Sequence, residues 1–121
     1  MRSDFWVAAY IRRVNQAGAF ATLRRRGADE AGAIWLILER NRDEIAFYAP
    51  APQSLISSQK NEHIQGIDRC FTSVFDPIWR NRMDVEAKLA QEIKFDSDLF
   101  VIEIEDREGR IFADILAQDT A

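Results

Sequence analysis

Three carboxylates in the last quarter of the chain are the residues whose type and spacing could do chemistry. In the segment FVIEIED, Glu103 and Glu105 are two positions apart, and Asp106 follows directly. Alternate residues of a β-strand point to the same face, so both glutamates could reach one hard cation such as Mg²⁺. One hypothesis is therefore a metal-dependent hydrolase or nuclease, with Asp98 or Asp114 as a further ligand.

An ordinary structural explanation covers the same residues. Strands of antiparallel sheets carry charge on their solvent face, and this segment lacks the lysine that often accompanies carboxylates in nuclease sites. Because neighbouring like charges destabilise a strand, we expect arginines opposite Glu103 and Glu105, with Arg24–Arg26 as the predicted partners. The sequence favours this paired arrangement, so it assigns no catalytic residue, no metal site and no cofactor.

Clustered arginines raise a second alternative, which is binding to a phosphate backbone. Arg12, Arg13 and Arg24–Arg26 are close to aromatic residues, as in many nucleic-acid interfaces. The whole chain is nevertheless acidic, with a net charge of −4, and Asp29 and Glu30 follow the arginine trio directly. The sequence therefore disfavours nucleic acid as a partner.

Gly27 and Gly32 flank the segment ADEA and superficially resemble a loop that cradles phosphate. A P-loop requires Lys followed by Ser or Thr at the start of a helix, whereas a predicted strand follows here. We therefore predict a turn in which both glycines adopt positive φ.

Nucleophilic and zinc chemistry find few candidate residues. His63 and Cys70 are the only histidine and cysteine, and their spacing leaves a Cys–His pair open. A zinc site requires more ligands than these two. A single cysteine permits no internal disulfide, and no apolar run is long enough to span a membrane. The sequence predicts a cytoplasmic protein that does not bind membranes, and it leans towards a protein that is not an enzyme.

One domain spanning residues 1–121 is predicted, because a chain of this length can bury a core without disulfides or metals. A polar and mobile loop is predicted at about 51–68. Residues 107–109 form a predicted turn that joins the last two strands into a hairpin. The apolar runs predict six strands, over 20–26, 33–40, 45–48, 69–75, 99–106 and 111–116.

Two helices complete the predicted architecture. Asp4 as N-cap and Gly18 as a C-terminal stop bound the first, over 4–17. Asp84 is predicted to cap the second, at about 84–95. The strands follow one another along the chain, with one helix before the first strand and the other before the fifth. This order indicates an α+β fold, with a mainly antiparallel sheet, an N-terminal helix and a second helix at about 84–95.

The distribution of charged and aromatic residues points to an interaction surface. Residues 1–60 carry a net charge of +3, and residues 61–121 carry −7. Trp79 is predicted to be partly exposed beside two arginines, and Trp and Arg are enriched in binding hot spots. The leading hypothesis is a non-enzymatic protein-interaction module that self-associates, as a homodimer, and binds an unknown protein partner. The predicted interaction residues are Trp79, Arg80, Arg82, Arg24 and Arg26.

Three blocks of the sequence together resemble a known family. They are WVAAYIRRV, RRRGADEAGAIWL and KFDSDLFVIEIEDREGR, which begin at Trp6, Arg24 and Lys94. This order is similar to the short alphaproteobacterial proteins grouped as a domain of unknown function, DUF1491. Where that family typically has Asp-Pro-Asp-Leu-Trp, this chain has the sequence DSDLF at 96–100. The resemblance implies a small cytosolic bacterial protein of one domain, with no activity, substrate or catalytic residue to carry over.

Overall fold

The structure, a computed structural model, describes residues 1–52 and 69–116 of the chain. The loop predicted at 51–68 therefore lies almost entirely outside the described residues, and His63 lies outside them as well. The predicted α+β class with two helices is confirmed. The elements are α1 Ser3–Gln16, β1 Phe20–Arg25, β2 Ile34–Asn41, β3 Glu44–Pro50, β4 Cys70–Ser73, α2 Arg82–Phe95, β5 Phe100–Glu105 and β6 Asp114–Ile115.

The strands form one six-stranded sheet in the order β1-β5-β2-β3-β4-β6. Neighbours pair antiparallel except β2 with β5 and β4 with β6, which are parallel. The sheet is thus mostly but not wholly antiparallel. Its central strand is β2, where Leu36, Ile37 and Leu38 are fully buried. This agrees with the run of apolar residues, which predicted a strand covered on both faces.

The two faces of the sheet carry separate cores. On the first, called here the α1 face, Val7, Tyr10 and Val14 of α1 pack against alternate residues of the strands, including Phe100 and Ile102. On the second, the α2 face, Val85 and Leu89 of α2 pack against the intervening residues. The strand residues of the α2 face are Ile37, Ile45, Phe47 and Val101. The side-chain alternation of each strand thereby divides its apolar residues between two helices.

Helix α1 ends as predicted but begins differently. Gly18 has φ +92°, and its N–H donates to the Asn15 carbonyl while Ala19 N–H donates to the Val14 carbonyl. This is a Schellman motif, in which the residue after the last helical turn adopts a left-handed conformation that favours glycine. At the other end, Asp4 lies inside the first turn and is not the N-cap.

Helix α2 begins two residues before the predicted position. Asn81 is its N-cap, because the Asn81 side chain accepts a hydrogen bond of 2.8 Å from the backbone N–H of Asp84. The prediction that Asp84 caps the helix was wrong. Its carboxylate lies in the first turn and pairs with Arg80 at 3.2 Å.

The hairpin predicted after β5 does not form. Strand β5 is flanked by β1 and β2, so neither of its edges is available to a return strand. The chain instead crosses α1, where the Tyr10 hydroxyl donates to the Ile111 carbonyl at 2.5 Å and Arg13 donates to the Phe112 carbonyl at 2.6 Å. It then forms the short strand β6 beside β4, at the far edge of the sheet.

Gly27 and Gly32 are explained by close backbone approach, and the prediction of positive φ at both was wrong. Among the glycines that the structure describes, those with positive φ are Gly18 and Gly109. A Cβ on Gly27 would lie 2.2 Å from the Asp98 carbonyl oxygen, and one on Gly32 would lie 2.6 Å from the same atom. Only glycine leaves room for this contact between the loop and the start of β5.

Candidate functional site

The predicted pairing with arginines is observed at Glu103 and was wrong for Glu105, which is exposed and has no ion pair among the described residues. Arg24 Nη1 lies 3.5 Å from Glu103 Oε2, and Arg82 Nη1 lies 2.8 Å from Glu103 Oε1. Arg82 also binds Glu39 at 2.6 Å, and Arg24 binds Glu86 at 2.5 Å. These five residues are called here the α2 ion cluster, because they join α2 to β1, β2 and β5.

Three members of the α2 ion cluster, Glu86, Arg82 and Arg24, have shifted pKa values. The Arg24 guanidinium, which donates to Glu86 through two nitrogens, holds the pKa of that carboxyl below its usual range. Burial lowers the pKa of Arg82, but hydrogen bonds to Glu39 and Glu103 outweigh it and leave the pKa raised. Carboxylates held ionised by arginines stabilise the fold and are poor proton donors.

The remaining carboxylates predicted for a metal site are not brought together. Asp106 is buried and accepts two hydrogen bonds of 2.9 Å from the Arg110 side chain, which holds its pKa below the usual range. Asp98 lies in the turn two residues before β5, and Asp114 lies in β6 at the sheet edge. Across residues 1–52 and 69–116, no group of three or more His, Cys, Asp or Glu side chains could hold a metal ion.

The predicted interaction residues make contacts within the chain. Trp79 is half-buried, with the Arg40 guanidinium 4.0 Å from the centre of its ring. Arg80 lies over the Phe75 ring at 4.6 Å, and Arg26 pairs with Asp29 at 2.6 Å. Their role as an interface stays a prediction.

Most of the arginines proposed for phosphate binding are also engaged. Arg13 donates to the Phe112 carbonyl, Arg25 donates to the Ser97 carbonyl at 2.7 Å, and Arg24 belongs to the α2 ion cluster. Arg12 is exposed and has no ion pair in the described part of the chain. A basic surface for nucleic acid would therefore have to form in competition with these bonds.

Cys70 lies on the buried side of β4, and burial raises the pKa of its thiol. A buried thiol of raised pKa is a poor nucleophile.

None of the helices within 1–52 and 69–116 is long and apolar enough to cross a membrane.

An open cleft of about 900 Å³ lies where β2 and β5 end. It is lined by residues 18–20 on one side, 39–41 on the other and 105–108 between them, because β5 lies between β1 and β2. Neighbouring parallel strands end at the same edge of a sheet. The sequence could therefore have indicated this edge only if the parallel pairing of β2 with β5 had been predicted.

A second surface was also missed by the sequence analysis. Met83 and Phe95, at the two ends of α2, are 75% and 80% exposed and are the most exposed large apolar side chains of the described residues. Ala87 and Ala90 lie between them and are exposed as well. Residues 83, 87, 90 and 94 are spaced alternately by four and three, as in a heptad repeat. This stripe could have been predicted from the sequence.

Comparison with known proteins adds the family and no activity. The family described as a protein of unknown function, DUF1491, matches residues 1–114. The solution structure of protein Atu0922 from A. tumefaciens is 35% identical, with a TM-score of 0.78, and the match covers 100% of this chain and 98% of that one. A crystal structure of a DUF1491 family protein from Caulobacter crescentus CB15 is 28% identical, with a TM-score of 0.75 and coverage of 97% and 98%.

An NMR structure of a DUF1491 family protein from the same Caulobacter strain has a TM-score of 0.72 at 28% identity and covers 97% of each chain. None of the curated proteins matches this chain. The family match covers nearly the whole sequence, and the solved structures share its fold from end to end. The chain therefore belongs to the DUF1491 family of proteins of unknown function.

Proposed function

We propose that the protein is a non-enzymatic interaction module that self-associates through the outward face of α2. The observation that carries this proposal is the exposure of Met83 and Phe95 at the two ends of one helix. Large apolar side chains left in water favour association, because covering them removes apolar surface from solvent. The small residues Ala87 and Ala90 between them allow another helix to approach closely.

The geometry of α2 fits a second copy of itself. The helix has 14 residues, which corresponds to a length of roughly 21 Å. Its stripe at 83, 87, 90 and 94 follows the alternating spacing of four and three residues that forms the seam of paired helices. When two such helices pack antiparallel along this stripe, Lys94 of one copy lies near Met83 of the other at both ends of the seam, and Phe95, about 120° around the helix from Met83, lies beside the seam.

Charge complementarity favours the same antiparallel arrangement. Lys94 ends the stripe and has no ion pair in the part of the chain that the structure describes. Asp84 lies in the first turn of α2, at the opposite end of the helix. An antiparallel pair places Lys94 of each copy near Asp84 of the other, whereas a parallel pair would place the two lysines side by side. A twofold dimer of this kind is isologous and closed.

The open edge at β1 is a weaker surface for self-association. The outward N–H of Ala21 already donates to the Asn15 side chain at 2.9 Å. The register of β1 with β5 shifts between Leu23 and Arg25, and arginines occupy the end of the strand. A bulge, a cap and positive charges are the features by which proteins keep edge strands from pairing.

The non-enzymatic part of the proposal rests on the α2 ion cluster. Glu103, the central residue of the predicted metal site, is bound by Arg24 and Arg82 instead of opening onto a cleft. Arg24 and Arg82, both predicted interaction residues, support the α2 surface by fixing the helix to the sheet. They need not contact the second copy themselves.

Light scattering after size-exclusion chromatography tests the proposal over a range of concentrations. We expect a dimer at tens to hundreds of micromolar, and we expect Ala87→Glu to weaken dimerisation at least tenfold, because it buries an unpaired charge in the seam. Ala8→Glu is the matched control, since Ala8 is an exposed alanine on the outward side of α1. A monomer at all concentrations, or equal effects of the two substitutions, would refute the proposal.

A further inference from the structure

We propose that the cleft at the ends of β2 and β5 binds an extended peptide segment of a partner protein through a lysine or arginine side chain. This site goes beyond the proposed function, because it does not include the outward face of α2. Its volume of about 900 Å³ lies in the range of ligand sites in proteins. Gly18 and Ala19, which carry no long side chain, line part of the cleft.

The cationic group would be bound by Glu105. In the register of the sheet, Glu105 lies directly between Phe20 of β1 and Glu39 of β5's other neighbour, β2, and all three point to the α2 face. Glu39 is bound by Arg82, whereas exposed Glu105 has no ion pair among the residues that the structure describes. It is therefore available to a cation from outside the chain.

Phe20 gives this carboxylate an apolar neighbour. Its ring is 58% exposed, although it is directly opposite Glu105 on the same face. Lysine and arginine carry a charged head on an aliphatic stem, so they can place the head on a carboxylate and the stem or the charge on an aromatic ring. A carboxylate beside an exposed ring is therefore selective for such a side chain over an anionic or purely apolar one.

The other charges of the cleft set the ligand's chemistry. Asp106 is bound by Arg110 and Arg40 is bound by Glu44, so these side chains are already neutralised. Glu108 lies 3.0 Å from Arg110. Arg107, on the same wall as Glu105, is exposed and has no ion pair in the described residues. Its positive charge repels a second cation nearby, so the cleft fits one basic side chain within a mostly neutral peptide.

Titration of the ¹⁵N-labelled protein followed by NMR tests this site. The probe is the peptide acetyl-Ala-Ala-Lys-Ala-Ala-amide, with the same peptide containing Glu in place of Lys as its charge control. We expect the Lys peptide to shift the amide signals of Gly18, Phe20, Glu105 and Arg107 with a Kd of roughly 1 mM, and the Glu peptide to leave them unchanged. Shifts caused equally by both peptides, or by neither, would overturn the proposal.

Two substitutions identify the groups that bind. Glu105→Gln keeps the shape of the side chain and should weaken binding about tenfold, because it removes a charge-assisted hydrogen bond. Phe20→Ala should weaken it roughly two- to fivefold. Glu30→Gln is the matched control, because the Glu30 side chain is 82% exposed and its carbonyl accepts from Ser3 N–H, at the end of α1 opposite the cleft, so this change should leave binding unchanged.

Other occupants are separate outcomes of the same experiment. If n-butylammonium binds as tightly as the Lys peptide, the cleft is a site for small amines and the peptide proposal is wrong. If the signals of the cleft shift on raising the protein concentration alone, a second copy fills it and the proposal is again wrong. Ala87→Glu should leave peptide binding intact, so failure of the dimer and failure of this site are distinguishable.

Discussion

The two faces of the sheet are each covered by one helix, but they are stabilised by different physics. On the α1 face, α1 packs an apolar stripe of Val7, Tyr10 and Val14 against the strands, and the segment after β5 closes over that helix. On the α2 face, α2 contributes only Val85 and Leu89 as buried residues. Beyond this smaller core, the α2 ion cluster replaces apolar contacts between helix and sheet.

This difference assigns the two faces different roles. Apolar burial is insensitive to pH and salt, whereas ion pairs at partly exposed sites respond to both. The contribution of the α1 face to stability should therefore change little with pH and salt. The α2 face combines a less extensive core with the exposed residues Met83, Ala87 and Ala90 on the outer side of the same helix.

The largest effect on the free energy of unfolding should come from truncating a buried isoleucine, and each face of the sheet provides one for comparison. Ile102 and Ile37 are both fully buried and lie on adjacent strands, the first on the α1 face and the second on the α2 face opposite Glu103. We expect Ile102→Ala to lower the free energy of unfolding by about 4 kcal/mol and Ile37→Ala by about 3 kcal/mol. Urea denaturation measures both, and a larger loss for Ile37→Ala would contradict the comparison.

Removing the centre of the α2 ion cluster should have the next largest effect. Arg82 binds carboxylates from three elements, so Arg82→Met leaves Glu39 without a cation and leaves Glu103 with Arg24 alone. We expect a loss of about 2 kcal/mol in unfolding free energy, between the values for exposed and buried ion pairs. Arg42→Met is the control, because Arg42 is exposed and has no ion pair among the described residues. Equal losses would mean that the cluster adds nothing to stability.

The sequence predicted what depends on local pattern and missed what depends on which strands meet. The continuous apolar run of β2 and the glycine after α1 are local signals, and both were interpreted correctly. The pairing of Glu103 with arginines was predicted from charge repulsion alone, with Arg24 correctly named. Arg82 was assigned to an interface, because nothing in the sequence places the first turn of α2 beside Glu39 and Glu103.

Apart from the two misassigned helix N-caps, the errors have one physical origin, which is long-range pairing. The expected hairpin after β5 assumed that consecutive strands pair, but β1 and β2 already occupy both edges of β5. The same pairing brings the Asp98 carbonyl against Gly27, so that the reason for this glycine lies in a segment far away in sequence. The cleft escaped prediction too, since its walls come from three separate strands and their turns.

The smallest predicted effect is the dependence of the α2 face on pH. The pKa of Glu86 is lowered from its ordinary value of 4.5, first by hydrogen bonds from Arg24. The folded state therefore binds fewer protons than the unfolded state, so this stabilisation is present above about pH 4.5 and is lost as the pH falls through the lowered value.

Because Glu86 is partly exposed, we expect its share of the acid-induced loss to be only about 1 kcal/mol. Denaturation curves between pH 6 and 3 measure this share as the difference between the original chain and Glu86→Gln. The unfolding free energy of Glu86→Gln should decline less steeply as the pH falls. The gap between the two curves should shrink in about 1 M NaCl, where the Debye length falls to roughly 3 Å. A gap that survives such screening would mean that Glu86 acts on stability through packing, and the contrast between an ionic α2 face and an apolar α1 face would have to be abandoned.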